Sequence, residues 1–378
     1  MEFYNPVKLL SGSGVRGKIF YECIDKSVLI FCTKSAYERY KLDPELSNIF
    51  SLPGVIFEHG FDANPSISDI ISISKKYRQS TIDLIVGLGG GSSIDVAKVA
   101  SVSIPAHQKG IEISSLLENS ELFSRFNSID CLQVPTTAGT GSEVTPFATI
   151  WDYENNVKKS LGNPAMLAKK SFIDPDLLAG IPLNTALSAG LDALNQAFES
   201  IWNKNATSIS LLYALRAAQL SLESLPKLHE IDNCPDIRAS LSEASLFAGI
   251  AISHTRTSIC HSISYPLTLK FSLPHGLACA FSMKEVFKFN EEDIAGSLTT
   301  LERSLGQNPY DLICDIYKSF KVENLILSYV EKPENILAML EEMNTKGRFD
   351  NNIKECKTVD LESIINNSVD QLLSFSSK

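Results

Sequence analysis

Ile82-Asp83-Leu84-Ile85-Val86-Gly87-Leu88-Gly89-Gly90-Gly91-Ser92-Ser93-Ile94-Asp95-Val96-Ala97-Lys98-Val99-Ala100 is the stretch that decides how this chain folds. Its first seven residues read as a buried strand, a short apolar run ended by glycine. The strand feeds Gly89-Gly90-Gly91-Ser92-Ser93, and residues 94–100 then read as a helix. Three consecutive glycines let a backbone approach an anion closely and adopt positive φ. The unpaired N–H groups and dipole of the helix's first turn direct positive charge at the same spot. Such a turn cradles a phosphate, and a dinucleotide is its expected guest. The loop follows neither G-x-G-x-x-G nor G-x-x-x-x-G-K-[ST], so the two commonest nucleotide fingerprints are absent.

The same alternation extends outward from this turn. Val28-Leu29-Ile30-Phe31-Cys32 and Gly54-Val55-Ile56-Phe57 read as strands, with helical patterns over residues 37–42 and 66–79. Strands separated by helices mean a mostly parallel sheet with crossover helices. Asp174-Pro175 and Ile181-Pro182 punctuate the chain, and beyond them strand signals almost vanish. Helical stretches follow at 185–202, 208–225, 237–253, 258–268 and 277–287. The expected fold is therefore α/β plus all-α: a Rossmann-like parallel-sheet domain over residues 1–177, then an all-helical domain over 178–378. The Asn- and charge-rich tract 344–357 is expected as a solvated helix surface.

Composition narrows the function. The 378 residues are 44% hydrophobic, enough for sizeable cores, and the length suits about two domains. No run approaches the ~18 apolar residues of a membrane span, and Met1-Glu2-Phe3-Tyr4-Asn5 lacks a signal peptide's basic start, so a cytoplasmic protein without a membrane partner is expected. The net charge of −10 and the lack of a basic patch argue against nucleic acid. Any anionic ligand must be met by a local site. Cys23, Cys32, Cys131, Cys234, Cys260, Cys279, Cys314 and Cys356 form no C-x-x-C pair and read as buried thiols in a reducing compartment.

Three further motifs follow the glycine loop in order: Pro135-Thr136-Thr137-Ala138-Gly139-Thr140-Gly141-Ser142-Glu143, Gly190-Leu191-Asp192-Ala193-Leu194, and Pro274-His275-Gly276. Together, across residues 5–290, the chain resembles the iron-containing (group III) alcohol dehydrogenases, whose architecture is shared with dehydroquinate synthase. The resemblance implies an N-terminal domain that binds NAD(P), a helical domain that holds a divalent metal, and reaction in the cleft between them. Homodimers are frequent among such relatives. Carried over, the cofactor-binding residues are Gly89, Gly90, Gly91 and Ser92 for the pyrophosphate, with Asp95 and Lys98 on the following helix, and Thr136, Thr137, Gly139, Thr140 and Ser142 as a second wall. Where NAD-preferring relatives carry an acidic residue for the ribose hydroxyls, this chain has Thr33 followed by Lys34. A 2′-phosphate is not repelled there, so NADPH is admitted and somewhat favoured, with NADH the other option.

The metal positions implied are Asp192, Gln196, His261 and His275, with Fe(II) the expected ion and zinc or another divalent metal the options. Gln196 stands where relatives have histidine. The i, i+4 spacing keeps Asp192 and Gln196 on one helix face, and the amide still offers a carbonyl oxygen. Asp192, His261 and His275 alone make a two-histidine, one-carboxylate set suited to Fe(II), while losing an imidazole should weaken zinc binding most. Tyr265 replaces a second frequent histidine. A phenol with a pKa near 10 shuttles protons less readily than imidazole near 6.5, although it donates a hydrogen bond.

Residues 255–268 and 146–151 look like the subgroup that reduces phosphonoacetaldehyde to 2-hydroxyethylphosphonate. A phosphonate dianion needs a fixed cation, and Arg256, one and a half helical turns before His261 if that helix extends so far, supplies one. Lys158 and Lys159 are further candidates. Tyr265 and Arg256 are thus the expected catalytic residues. The alternatives are a general short-chain aldehyde or alcohol dehydrogenase, then a dehydroquinate synthase-type lyase or a non-catalytic descendant.

Overall fold

The computed structural model describes residues 3–62, 64–155 and 157–376. They form two compact units, one comprising Tyr4–Thr137 with Ser142–Ala179, the other Phe3, Ala138–Gly141 and residues 180–376. The first is α/β and the second helical, as the alternation predicts.

In the α/β unit the strands are β1 (Lys8–Ser11), β2 (Val28–Phe31), β3 (Val55–Glu58), β4 (Leu84–Gly89), β5 (Asp130–Pro135), β6 (Phe147–Asp152), β7 (Val157–Gly162) and β8 (Lys170–Ile173). Its helices are α1 (Ile19–Cys23), α2 (Lys34–Tyr40), α3 (Ile67–Lys76), α4 (Gly91–Gln108) and α5 (Ile113–Glu118). Six strands pair in parallel in the order β1-β8-β5-β4-β2-β3. Side chains alternate between two cores. Leu29, Phe31 and Ile85 face one, and Val28, Ile30, Leu84 and Val86 the other. Burial on both faces explains the near-continuous apolar runs, and each such side chain contributes ~1.5–3 kcal/mol.

The chain moves outward from β2 to β3, then returns to β4 and continues the opposite way through β5 and β8. That reversal makes the carboxyl ends of β2 and β4 the switch point at which open α/β sheets take ligands. Phe31 lies opposite Gly87, so Thr33 and the glycine loop leave neighbouring strands at the same edge. The antiparallel pair β6–β7 is not among the strands that the sequence pattern predicts.

The helical unit contains α6 (Leu183–Ile201), α7 (Ser208–Ser224), α8 (Pro235–Thr255), α9 (Ile259–Phe271), α10 (His275–Asn290), α11 (Ala295–Leu305), α12 (Pro309–Phe320), α13 (Val322–Leu327) and α14 (Thr358–Ser376). Helix α6 packs against α7, α8 and α10 and is buried on every side from Gly190 to Ile201. Among the described residues no helix is long and apolar enough to cross a membrane.

One expectation is overturned. The tract 344–357 is not a helix surface but irregular chain with a single 3-10 turn at Phe349–Asn351. Two of its asparagines are structural: buried Asn351 donates to the Thr257 carbonyl at 3.0 Å, and buried Asn352 exchanges amide bonds with Asn290 at 2.7 and 3.2 Å. Composition misleads because amides satisfied by backbone and by one another sit inside a protein at little cost.

Candidate functional site

Besides Ser188 and Ser200, the buried part of α6 carries the polar residues Asp192, Asn195, Gln196 and Glu199. Asp192, Gln196 and Glu199 follow the i, i+4, i+7 spacing of one helix face. Glu199, fully buried, accepts from the backbone N–H of Ser258 and of His261, both at 3.0 Å, and from His261 Nδ1 at 2.6 Å. Ser258 gives α9 no side-chain cap, so a carboxylate from another helix satisfies its first-turn donors. The same carboxylate fixes the His261 ring, leaving Nε2 3.3 Å from Asp192 Oδ1.

His275 opens α10, where Gly276 allows close approach to α6: a Cβ there would lie 1.7 Å from the Ser188 carbonyl oxygen. The His261 and His275 rings meet edge to face at 5.2 Å. One ligand atom from each of Asp192, His261, His275 and Cys279 lies within 4.8 Å of the other three. Of the sequence-predicted set, Asp192, His261 and His275 therefore converge. Gln196 hydrogen-bonds Asp192, and its buried Oε1 has no hydrogen-bond partner among the described residues.

This donor set fits a divalent cation. Burial alone would raise the Asp192 carboxyl, yet it lies below the ordinary range because the His261 bond, the charges of His275 and His261, and Gln196 outweigh desolvation. Burial would likewise lower His261, but it is held high by the neighbouring Cys279 and Glu199 and by the bond to Asp192. A buried pocket whose carboxylates demand positive charge, lined by imidazole and thiol, has the chemistry of a metal centre.

Tyr265 lies one turn after His261 on α9, its ring stacked on His275 at 6.3 Å. Arg348 Nε donates to its hydroxyl at 3.4 Å. Arg348 is held there by the tract described above: Ser262 bonds the Met343 carbonyl and the Thr345 N–H, and Asn351 bonds the Gly347 carbonyl. Arg256 is not on α9, contrary to the extended-helix expectation. It caps the end of α8 with φ 64°, a conformation unfavourable for a side chain, because α8 must break before α9 can begin. Its N–H bonds the Ile252 carbonyl and its own carbonyl accepts from Asn203. Burial and then the neighbouring charge of Arg348 lower the guanidinium to about 10, still charged at neutral pH, while Tyr265 acts in the opposite sense.

In the α/β unit, Gly89 has φ 153° and a Cβ there would lie 2.5 Å from Ser93 Oγ, while one on Gly90 would lie 3.3 Å from Thr137 Oγ1. Gly91 and Ser92 begin α4. The Thr136 N–H bonds the Gly89 carbonyl at 2.9 Å. Thr33 Oγ1 caps α2 through the Ala36 N–H. The glycine loop, Thr136 and Thr137 are thus assembled together. Gly139 and Thr140 instead group with the helical unit, where a Cβ on Gly139 would meet Ala189 at 2.9 Å.

Asp95, Lys98 and Ser142 carry a different duty from the cofactor contact expected of them. Lys98 is fully buried and donates to Ser142 Oγ and O, to Thr145, and to the Phe147 carbonyl. Asp95 accepts from Ser142 Oγ and the Thr149 N–H. Together they bind residues 142–149 to α4. Lys159 is paired with Asp152 at 2.9 Å, and Lys158 lies over the Trp151 ring, so neither stands as an uncommitted anion receptor. Glu199, Cys279 and Arg348 were missed by sequence reasoning. Spacing carried a signal for two of them, i+7 from Asp192 and i+4 from His275, but none marked Arg348.

A switch-point parallel sheet and a helical unit with a buried metal-type donor cluster define the class of protein. Models of the iron-containing alcohol dehydrogenase family match residues 6–175, and its C-terminal region residues 186–369. The chain is 30% identical to an alcohol dehydrogenase from Thermococcus barophilus over 330 residues, 85% of this chain and 86% of that protein. It is 32% identical over 249 residues to a phosphonoacetaldehyde reductase from Streptomyces viridochromogenes, a match spanning 65% of this chain and 62% of that relative's length. An iron-containing alcohol dehydrogenase from Thermotoga maritima superposes with a TM-score of 0.82 at 25% identity, covering 98% of this chain and 99% of that one. The chain belongs to the iron-containing alcohol dehydrogenase family.

Proposed function

We propose that the protein is a metal-dependent NAD(P)H oxidoreductase that reduces phosphonoacetaldehyde to 2-hydroxyethylphosphonate. The observation that carries the substrate is the grouping of two guanidinium groups, Arg256 and Arg348, around Tyr265, whose ring stacks on His275. Planar guanidinium forks suit tetrahedral oxyanions, and like charges held together are stabilised by an anion between them. The similarity to the Streptomyces reductase supports the same reading.

Asp192, His261 and His275, with Gln196 or Cys279, would hold the metal. When bound, a divalent metal supplies Lewis acidity at the substrate oxygen and a reduced nicotinamide supplies the hydride. Glu199 keeps the His261 Nε2 face turned inward. Arg256 and Arg348 would hold the phosphonate so that the carbonyl oxygen is presented to the donor cluster. With hydride supplied to the carbonyl carbon, a proton from Tyr265 Oη, the cofactor ribose or water would complete the alcohol. Arg348 beside Oη stabilises the charge left if Tyr265 is the donor. Gly89, Gly90, Gly91, Ser92, Thr136 and Thr137 are assigned to the pyrophosphate and its surroundings, and Thr33 to the ribose.

The test compares phosphonoacetaldehyde with propionaldehyde, using NADPH and NADH, on protein stripped of metal and reloaded anaerobically with Fe(II). Metal-dependent turnover favouring the phosphonate by more than tenfold, ~1.4 kcal/mol of transition-state discrimination, supports the reading. Equal rates support the second reading, a general aldehyde or alcohol dehydrogenase, which the longer match to the Thermococcus enzyme favours. On the same reading the protein is cytoplasmic, forms homodimers and takes NADPH or NADH.

A further inference from the structure

Cys279 follows His275 by four residues, one turn along α10, and its Sγ lies 3.9 Å from His275 Nε2. The thiol is fully buried and lies within 4.8 Å of the ligand atoms of Asp192, His261 and His275. Gln196, four residues after Asp192 on α6, brings only a neutral amide to that neighbourhood. A carboxylate and two imidazoles leave a tetrahedral ion one donor short. A buried sulfur at ligand spacing is a far stronger donor than an amide oxygen.

We propose that the Cys279 thiolate is a metal ligand, giving an Asp192, His261, His275 and Cys279 donor set in which Gln196 is dispensable. On binding, the Cys279 S–H loses its proton to solvent and a sulfur lone pair forms the bond to the metal, with nothing oxidised or reduced. A thiolate is a soft donor, so it shifts the site's preference toward zinc and cobalt and away from ions that favour oxygen ligands. Sulfur at i+4 on α10 occupies the coordination role that an imidazole at i+4 on α6 would otherwise fill. The inference rests on metal binding by this cluster and is independent of the substrate.

The test loads the metal-free full-length protein with Co(II) alone. Coordination by sulfur gives cobalt a near-ultraviolet thiolate-to-metal charge-transfer band, which oxygen and nitrogen ligands do not produce. The wild type should show the band, Gln196→Ala should keep it, and Cys279→Ser should lose it. Zinc affinity measured by competition should fall in Cys279→Ser by more than the ~10- to 100-fold typical of losing an outer-shell partner. Thermal unfolding by circular dichroism shows whether Cys279→Ser is folded. The double variant Gln196→His, Cys279→Ala, which returns an imidazole to the site, should bind Co(II) without the band. Cobalt bound by the wild type without the band, or a band that survives in Cys279→Ser, overturns the thiolate ligand while leaving the metal centre standing. Absence of cobalt binding in equilibrium dialysis overturns both.

Discussion

Glu199 and His261 are joined by a 2.6 Å carboxylate–imidazole bond between two helices, and the same carboxylate holds the His261 backbone N–H at 3.0 Å. One side chain therefore sets the tautomer of the imidazole and anchors the turn that carries it. Glu199→Gln keeps the volume but surrenders one acceptor oxygen to an NH₂ group that faces N–H donors. The expected outcome is a ~10- to 100-fold loss of zinc or iron affinity with the fold retained, read by metal competition alongside circular dichroism.

The two guanidinium groups separate substrate recognition from chemistry. Arg348→Ala removes the Nε bond to the Tyr265 hydroxyl and one of the two positive charges at that edge. Hydrogen bonds to charged groups contribute ~1.5–3 kcal/mol, so kcat/KM for phosphonoacetaldehyde should fall by about 10- to 100-fold. Propionaldehyde, with no anion to hold, should change by less than about threefold. A parallel loss on both aldehydes in steady-state kinetics would assign Arg348 to the proton route rather than to the phosphonate.

Glu143 gives the α/β unit a pH dependence of its own. Its carboxyl is 3% exposed, and burial raises it from its ordinary 4.5 to about 7, against the opposing pull of Lys98. The folded chain therefore binds a proton that the unfolded chain has already released between those values. Stability from this group is complete below pH 4.5 and is lost as pH rises through about 7. The shift of 7 − 4.5 = 2.5 units corresponds to ~3 kcal/mol. Urea unfolding at pH 5 and pH 8 should show Glu143→Gln losing less stability over that interval than the wild type, by an amount of that order. Identical pH dependence in both proteins would refute the buried neutral acid.

What the sequence made readable was local. The glycine loop announced itself because strand, tight turn and helix start are consecutive, and Asp192 with Gln196 because helix periodicity puts both on one face. Glu199 obeyed the same periodicity but was passed over, since an acidic residue in a helix is by default a solvent-facing charge. Of the cysteines expected as buried thiols, Cys234, Cys314 and Cys356 are only partly buried, and Cys279, which is buried, differs from the rest only in its spacing from His275. Arg348 was unreadable in principle: 83 residues separate it from Tyr265, and the tract that delivers it has the composition of exposed chain. Its placement comes from backbone carbonyls that buried amides find only once α9 exists. Asp95 and Lys98 show the converse. Their motif was recognised, but recognition says nothing of whether an ammonium faces a ligand or, as here, five protein oxygen atoms.

Gly276 links packing to the site most directly. The first turn of α10 rests on the Ser188 carbonyl of α6, and a methyl group at 276 would lie 1.7 Å from that oxygen. Neither partner can yield by rotating a side chain, because the obstacle is backbone. Gly276→Ala must push α10 away from α6, carrying His275 and Cys279 from Asp192 on the opposite helix. Overpacking of this kind costs ~1–3 kcal/mol. The expected result is a folded protein with a lower unfolding midpoint and a metal affinity reduced together with it. Gly296→Ala, on α11 with open space around the added methyl, is the matched control and should leave affinity unchanged. If Gly276→Ala binds metal as the wild type does, the α6–α10 approach is not what sets the donor geometry.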